Sequence, residues 1–148
     1  MQMRVFSFAA LGLLAFLVSA CGDDSTPTAP SANVPFSTVD LRIGTGAEAT
    51  AGRLVTVNYS GWLYNSSGTD NKGTRFDSSL LPGREPLAFT VGTPNLIGGF
   101  NQGVVGMRVG GLRRVVIPPN LGYGAAGRPP EIPGNSTLIF ELELLAVQ

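Results

Sequence analysis

The chain of 148 residues has no histidine and a single cysteine, Cys21. Without histidine there is no Ser-His-Asp or Cys-His relay, and the commonest zinc ligand is missing. One cysteine rules out an intrachain disulfide. Charge is also scarce, at 14% of residues, with ten Lys and Arg balanced by ten Asp and Glu. A phosphate-binding surface needs a surplus of basic residues, so nucleic acid is not an expected partner. The one basic pair, Arg113-Arg114, reads as two outward residues beside a strand. Acidic ligands do not alternate around Asp70, so the loop there is a solvated one. The residues imply no metal and no cofactor.

Hydrophobic residues make up 43% of the chain, and 20 glycines and 11 prolines announce many turns. One globular domain is the natural size. It is preceded by "MQMRVFSFAALGLLAFLVSAC", in which Arg4 is followed by an apolar run from Val5 to Val18 and then by the small residues Ser19 and Ala20. Residues 1–20 therefore read as a secretory signal. The run is shorter than the ~20 apolar residues that span a bilayer comfortably, which disfavours an uncleaved anchor. "VSAC" resembles the lipobox of bacterial lipoproteins, and the resemblance implies lipidation of Cys21 with cleavage before it. The alternative is ordinary cleavage after Ala20, leaving a free thiol. Acyl chains in the plural suffice for stable anchoring where one does not. Gly22 is not the aspartate that favours inner-membrane retention in enteric bacteria, which slightly favours the periplasmic side of an outer membrane.

Residues 22–35, "GDDSTPTAPSANVP", hold almost nothing apolar and cannot build a core. Residues 21–35 are therefore a tether that reaches roughly 40 Å at ~3.1 Å per residue. The domain occupies 36–148. Within it, residues 53–64, 112–119 and 136–147 carry strand patterns, the second stopped by Pro118-Pro119. In the last of them Leu138, Phe140, Leu142 and Leu144 share one face; Ile139, Glu141 and Glu143 share the other, which should be mostly wet. Shorter strands are expected at 38–43, 75–78 and 87–91, and a polar exposed insertion at 65–74. Only residues 94–107 suggest a helix, with Ile97, Phe100, Val104 and Met107 at three- and four-residue steps. Its internal glycines cost up to ~1 kcal/mol each against alanine, so it needs tertiary support. The expected fold is α+β, a one-sided antiparallel sheet covering one short helix.

With the elements in order, "VNYSGWL" (57–63), "RFDSS" (75–79), "EPLAFTVG" (85–92), "LIGGFNQGVVGMRVGGLRRVVIPPNLGYGAAG" (96–127) and "IPGNSTLIFELELL" (132–145) resemble the FKBP-type peptidyl-prolyl isomerases. The resemblance covers essentially all of residues 38–147. It implies a curved antiparallel sheet wrapped around a short helix, with a pocket between them that isomerises X–Pro bonds. It places Tyr59, Phe76, Asp77, Leu87, Phe89, Leu96, Ile97, Phe100, Tyr123, Ile132 and Phe140 at that pocket. Phe76, Phe89, Ile97, Phe100 and Phe140 would enclose the proline ring. Tyr123 would donate to a substrate carbonyl, and Asp77 would orient the amide or the Tyr59 hydroxyl, with Arg84 near enough to pair with it.

The chain departs from the family pattern at four positions. Phe100 replaces a tryptophan, Leu87 an aromatic residue, Arg128 a frequent histidine, and Glu131 a common aliphatic residue. The partners implied are proline-containing polypeptides, exported proteins during folding among them, with macrolides as a further ligand class of the family. The long helical dimerisation arm of some secreted relatives is not read here, so a monomer is expected. Two other readings stay open at this stage. One is a tethered module that binds proline segments or unfolded chains without turnover. The other is a structural or adhesive lipoprotein.

Overall fold

The structure is a computed structural model that describes residues 34–148. The signal sequence, Cys21 and the tether up to residue 33 lie outside the described residues. Among the described residues, six strands and one α-helix follow one another. They are β1 (Ser37–Arg42), β2 (Leu54–Tyr64), β3 (Lys72–Ser78), β4 (Leu87–Thr90), α1 (Gly98–Val104), β5 (Leu112–Ile117) and β6 (Leu138–Val147). All pairings are antiparallel, in the order β1-β5-β6-β2-β3. The long β2 divides its other edge, giving Leu54–Val57 to β4 and Ser60–Tyr64 to β3. That division leaves a gap between β3 and β4 at which β2 presents Tyr59. Among the described residues no helix is long and apolar enough to cross a membrane.

The core follows the period-two rule for a sheet with one covered face. Leu138, Phe140, Leu142 and Leu144 of β6 are all buried, as are Val55 and Val57 of β2 and Val115 and Ile117 of β5. The outer face is less wet than expected. Ile139 is fully buried there, because it sits between Trp62 on β2 and Val116 on β5. The Lys72 ammonium lies 4.3 Å from the centre of the Trp62 ring. Glu141, next on that face, is held by Lys72 at 2.7 Å and Arg114 at 3.0 Å.

Other expectations are corrected in detail. Arg113 and Arg114 do not both point outward. Arg114 faces Glu141 and Asp70 on the outer face, whereas Arg113 turns under the helix and donates to the carbonyls of Gly103 and Val105. Asp70 is thus ion-paired, at 2.9 Å from Arg114, within a segment that ends in β3 three residues earlier than its pattern suggests. The helix spans seven residues and not the whole of 94–107. Val105 is extended and Gly106 has φ of +78°, which stops it. Its glycines have a reason. A Cβ on Gly99 would strike the Ile117 side chain, and one on Gly103 would lie 2.7 Å from a methyl of Val115. The helix therefore spends intrinsic propensity to approach β5 closely. Phe100, Val104 and Met107 are buried by that approach.

Candidate active site

Helix, sheet and the connection after β5 enclose a cavity of about 470 Å³. Its apolar wall is a set of rings on four elements. Phe100 of α1 stands edge-on to Phe140 of β6 at 5.3 Å between centroids and to Tyr59 of β2 at 6.0 Å. Phe76 of β3 stands edge-on to Phe140 at 5.5 Å. Such edge-to-face geometry adds ~0.5–1.5 kcal/mol per pair beyond burial, so the wall is held rigid by its own contacts. Gly61 makes room for it: a Cβ there would lie 2.6 Å from Phe76 and 2.8 Å from Phe140 ring atoms.

One side of the cavity is polar. The Tyr59 hydroxyl donates to Asp77 Oδ2 at 2.8 Å. Asp77 Oδ1 accepts from the Arg84 guanidinium and from the Ser78 backbone N–H at 2.9 Å. Burial pushes the Tyr59 phenol above its usual range, and the hydrogen bond to Asp77 adds to the effect. The neighbouring Asp77 charge raises Arg84 further. The phenol and the guanidinium are thus both held in their protonated forms, an arrangement for orientation and not for proton transfer. Tyr123 lies across the cavity on the connection between β5 and β6, and its hydroxyl has no hydrogen-bond partner among the described residues. It is a donor still available to a ligand.

Of the eleven residues that the resemblance places at the pocket, nine line this cavity: Tyr59, Phe76, Asp77, Leu87, Leu96, Ile97, Phe100, Tyr123 and Phe140. Phe89 lies in the core behind Phe100, 5.7 Å from it between ring centroids. Ile132 is buried beside a second, neighbouring cavity of about 400 Å³. The two cavities share Phe76, Asp77, Arg84 and Arg128. Asn95 also lines the inner one and was not anticipated. Its only signal was its place directly before the Leu96-Ile97 pair, a weak one because asparagine there also reads as a turn residue. Among the described residues no group of three or more carboxylate or thiol side chains is placed to hold a metal.

Comparison with known proteins adds a family. Residues 46–145 match the family described as FKBP-type peptidyl-prolyl cis-trans isomerase. An FK506-binding protein of Neisseria meningitidis serogroup A is 48% identical over 108 residues, covering 73% of this chain and 92% of that protein. The crystal structure of FkpA from Escherichia coli superposes with a TM-score of 0.63 at 39% identity, over 76% of this chain and 48% of FkpA. A peptidyl-prolyl cis-trans isomerase from Pseudomonas syringae superposes with a TM-score of 0.62 at 33% identity, over 76% of this chain and 75% of its own.

Proposed function

The chain belongs to the FKBP-type peptidyl-prolyl cis-trans isomerases, and we propose that it accelerates X–Pro isomerisation in the ring-walled cavity during the folding of exported proteins. The observation that carries this reading is the pairing of an aromatic-walled pocket with one uncommitted phenol, Tyr123.

Rotation about an X–Pro bond meets a barrier of ~18–20 kcal/mol because amide resonance must be broken. No covalent bond forms or breaks, so no nucleophile is required. The planar amide is the more dipolar state, and water stabilises it more than the twisted state. Phe76, Phe100, Phe140 and Ile97 replace that water around the proline ring, which narrows the gap between the two states. An acceleration of ~10⁶-fold needs only about 8 kcal/mol. The Tyr123 hydroxyl donates to a substrate carbonyl and holds the flanking chain in a turn. Asp77, fixed by Tyr59 and Arg84, presents an oriented acceptor at the pocket edge and positions the approaching amide.

The site is complete within one chain, which supports a monomeric enzyme. The lipobox-like "VSAC" and the polar stretch after it support a lipidated Cys21 on a flexible tether, with the domain on the periplasmic side of an outer membrane. The FK506-binding name of the Neisseria relative supports macrolide binding in the same pocket. A protease-free peptide assay or proline-limited refolding with the purified protein tests the activity. Acceleration that macrolide addition abolishes is expected, and peptide binding without acceleration would leave only a binding module. Fatty-acid labelling that disappears in Cys21→Ser is the expected result for the anchor.

A further inference from the structure

Two charged side chains at the rim remain unused by this chemistry. Arg84 is committed to Asp77, but neither Arg128 nor Glu131 has a side-chain partner among the described residues. Both are exposed. They sit on a loop whose backbone is fixed. The Arg128 N–H donates to the Ile132 carbonyl at 2.8 Å, the Ile132 N–H donates back at 3.0 Å, and Ile132 itself is buried.

The two charges are placed differently with respect to the two cavities. Arg128 lines both cavities, whereas Glu131 lines only the outer one. A chain leaving the inner cavity across the shared wall of Phe76 and Asp77 therefore meets a free positive charge first and a free negative charge second. The Asp77–Arg84 pair on that wall is self-neutralised and does not cancel the sequence of signs.

Resting on the isomerase reading above, we propose that the outer cavity is a charge-ordered subsite for the segment flanking the proline. It selects substrates with an acidic side chain near the X–Pro bond and a basic one farther out. Arg128 and Glu131 are the residues that read this order. The pairs formed are solvent-exposed, so the discrimination is modest and sensitive to salt.

The test uses peptides of equal composition with one Glu and one Lys on the amino or the carboxyl side of a single Ala-Pro unit, in both orders. A companion peptide carries Gln at both places. On one side of the proline, the acid-inner order should exceed the acid-outer order in kcat/KM by about three- to five-fold at low salt, the size expected of exposed ion pairs. That ratio should fall towards one in Arg128→Gln, in Glu131→Gln, and for the wild type in roughly 0.5 M salt. Equal rates for the two orders on both sides, the reverse order, or a ratio that survives in the double variant would overturn the proposal. Because the readout is a ratio within each variant, a general loss of activity does not mimic it. Failure of the Gln peptide to be isomerised would instead overturn the isomerase reading on which the subsite rests.

Discussion

At the scale of single residues, the hydroxyls and carboxylate of the pocket divide into those bonded to one another and the Tyr123 hydroxyl, which is free among the described residues. Tyr59, Asp77 and Arg84 satisfy one another, so Asp77→Ala leaves a phenol and a guanidinium without their acceptor. Water can reach the guanidinium, so we expect it to lower stability only by the ~0.5–1.5 kcal/mol of the Tyr59 hydrogen bond, read by denaturant unfolding, and to reduce kcat/KM in parallel. Tyr123 is the contrasting case. Its hydroxyl bonds nothing among the described residues, so Tyr123→Phe should leave the unfolding midpoint unchanged while lowering kcat/KM by about three- to ten-fold, the worth of one neutral hydrogen bond. Equal activity of this variant would remove the positioning role. Residue identity alone showed what these side chains could do, and the family pattern showed that they converge. It anticipated Arg84 near Asp77 and left Asp77 open between the amide and the Tyr59 hydroxyl; the bond to Tyr59 is the one formed, a choice set by a few tenths of an ångström between β2 and β3.

At the scale of elements, two close approaches decide the shape of the pocket. Gly61 lets the Phe76 and Phe140 rings close over β2. Gly61→Ala should cost about 1–3 kcal/mol through overpacking and should depress activity, because the rings it displaces are the pocket wall; thermal unfolding and the isomerase assay check the two effects. The helix was legible as an apolar stripe, but its length was not. Periodicity continues through residues that Gly106 takes out of the helix, and nothing local separates a glycine that packs from one that terminates. The burial of Ile139 was missed for a similar reason, as its cover comes from Trp62 and Val116 on neighbouring strands. Strand β1 is secured at the sheet edge by Asp40 and Arg113, 2.6 Å apart. The Arg113 hydrogen bond holds the Asp40 carboxyl below its usual value. The folded form therefore gains stability from the ionised pair above the ordinary carboxylate range near ~3.9, and loses it as pH falls through the lowered value. Asp40 is well exposed, so the loss is small. Asp40→Asn should raise hydrogen exchange in β1 selectively and flatten that part of the acid-unfolding curve.

At the scale of the whole molecule, the fold class and the strand order along the chain were legible because alternation is strong in β2, β5 and β6. The division of β2 between β3 and β4, which opens the pocket, was not, because it is a matter of pairing and leaves no mark in any one strand. The chain's lack of histidine has a consequence at this scale too. No imidazole titrates anywhere in the molecule, and burial moves Tyr59 away from neutrality and not towards it. Catalysis by a dry pocket that twists an amide should therefore need no proton in flight. The most direct test is kcat/KM for an X–Pro peptide measured across about pH 6 to 9 in light and heavy water. Catalysis with a flat profile and equal rates in the two solvents is the expected result. A bell-shaped profile, or a clear slowing in heavy water, would contradict it.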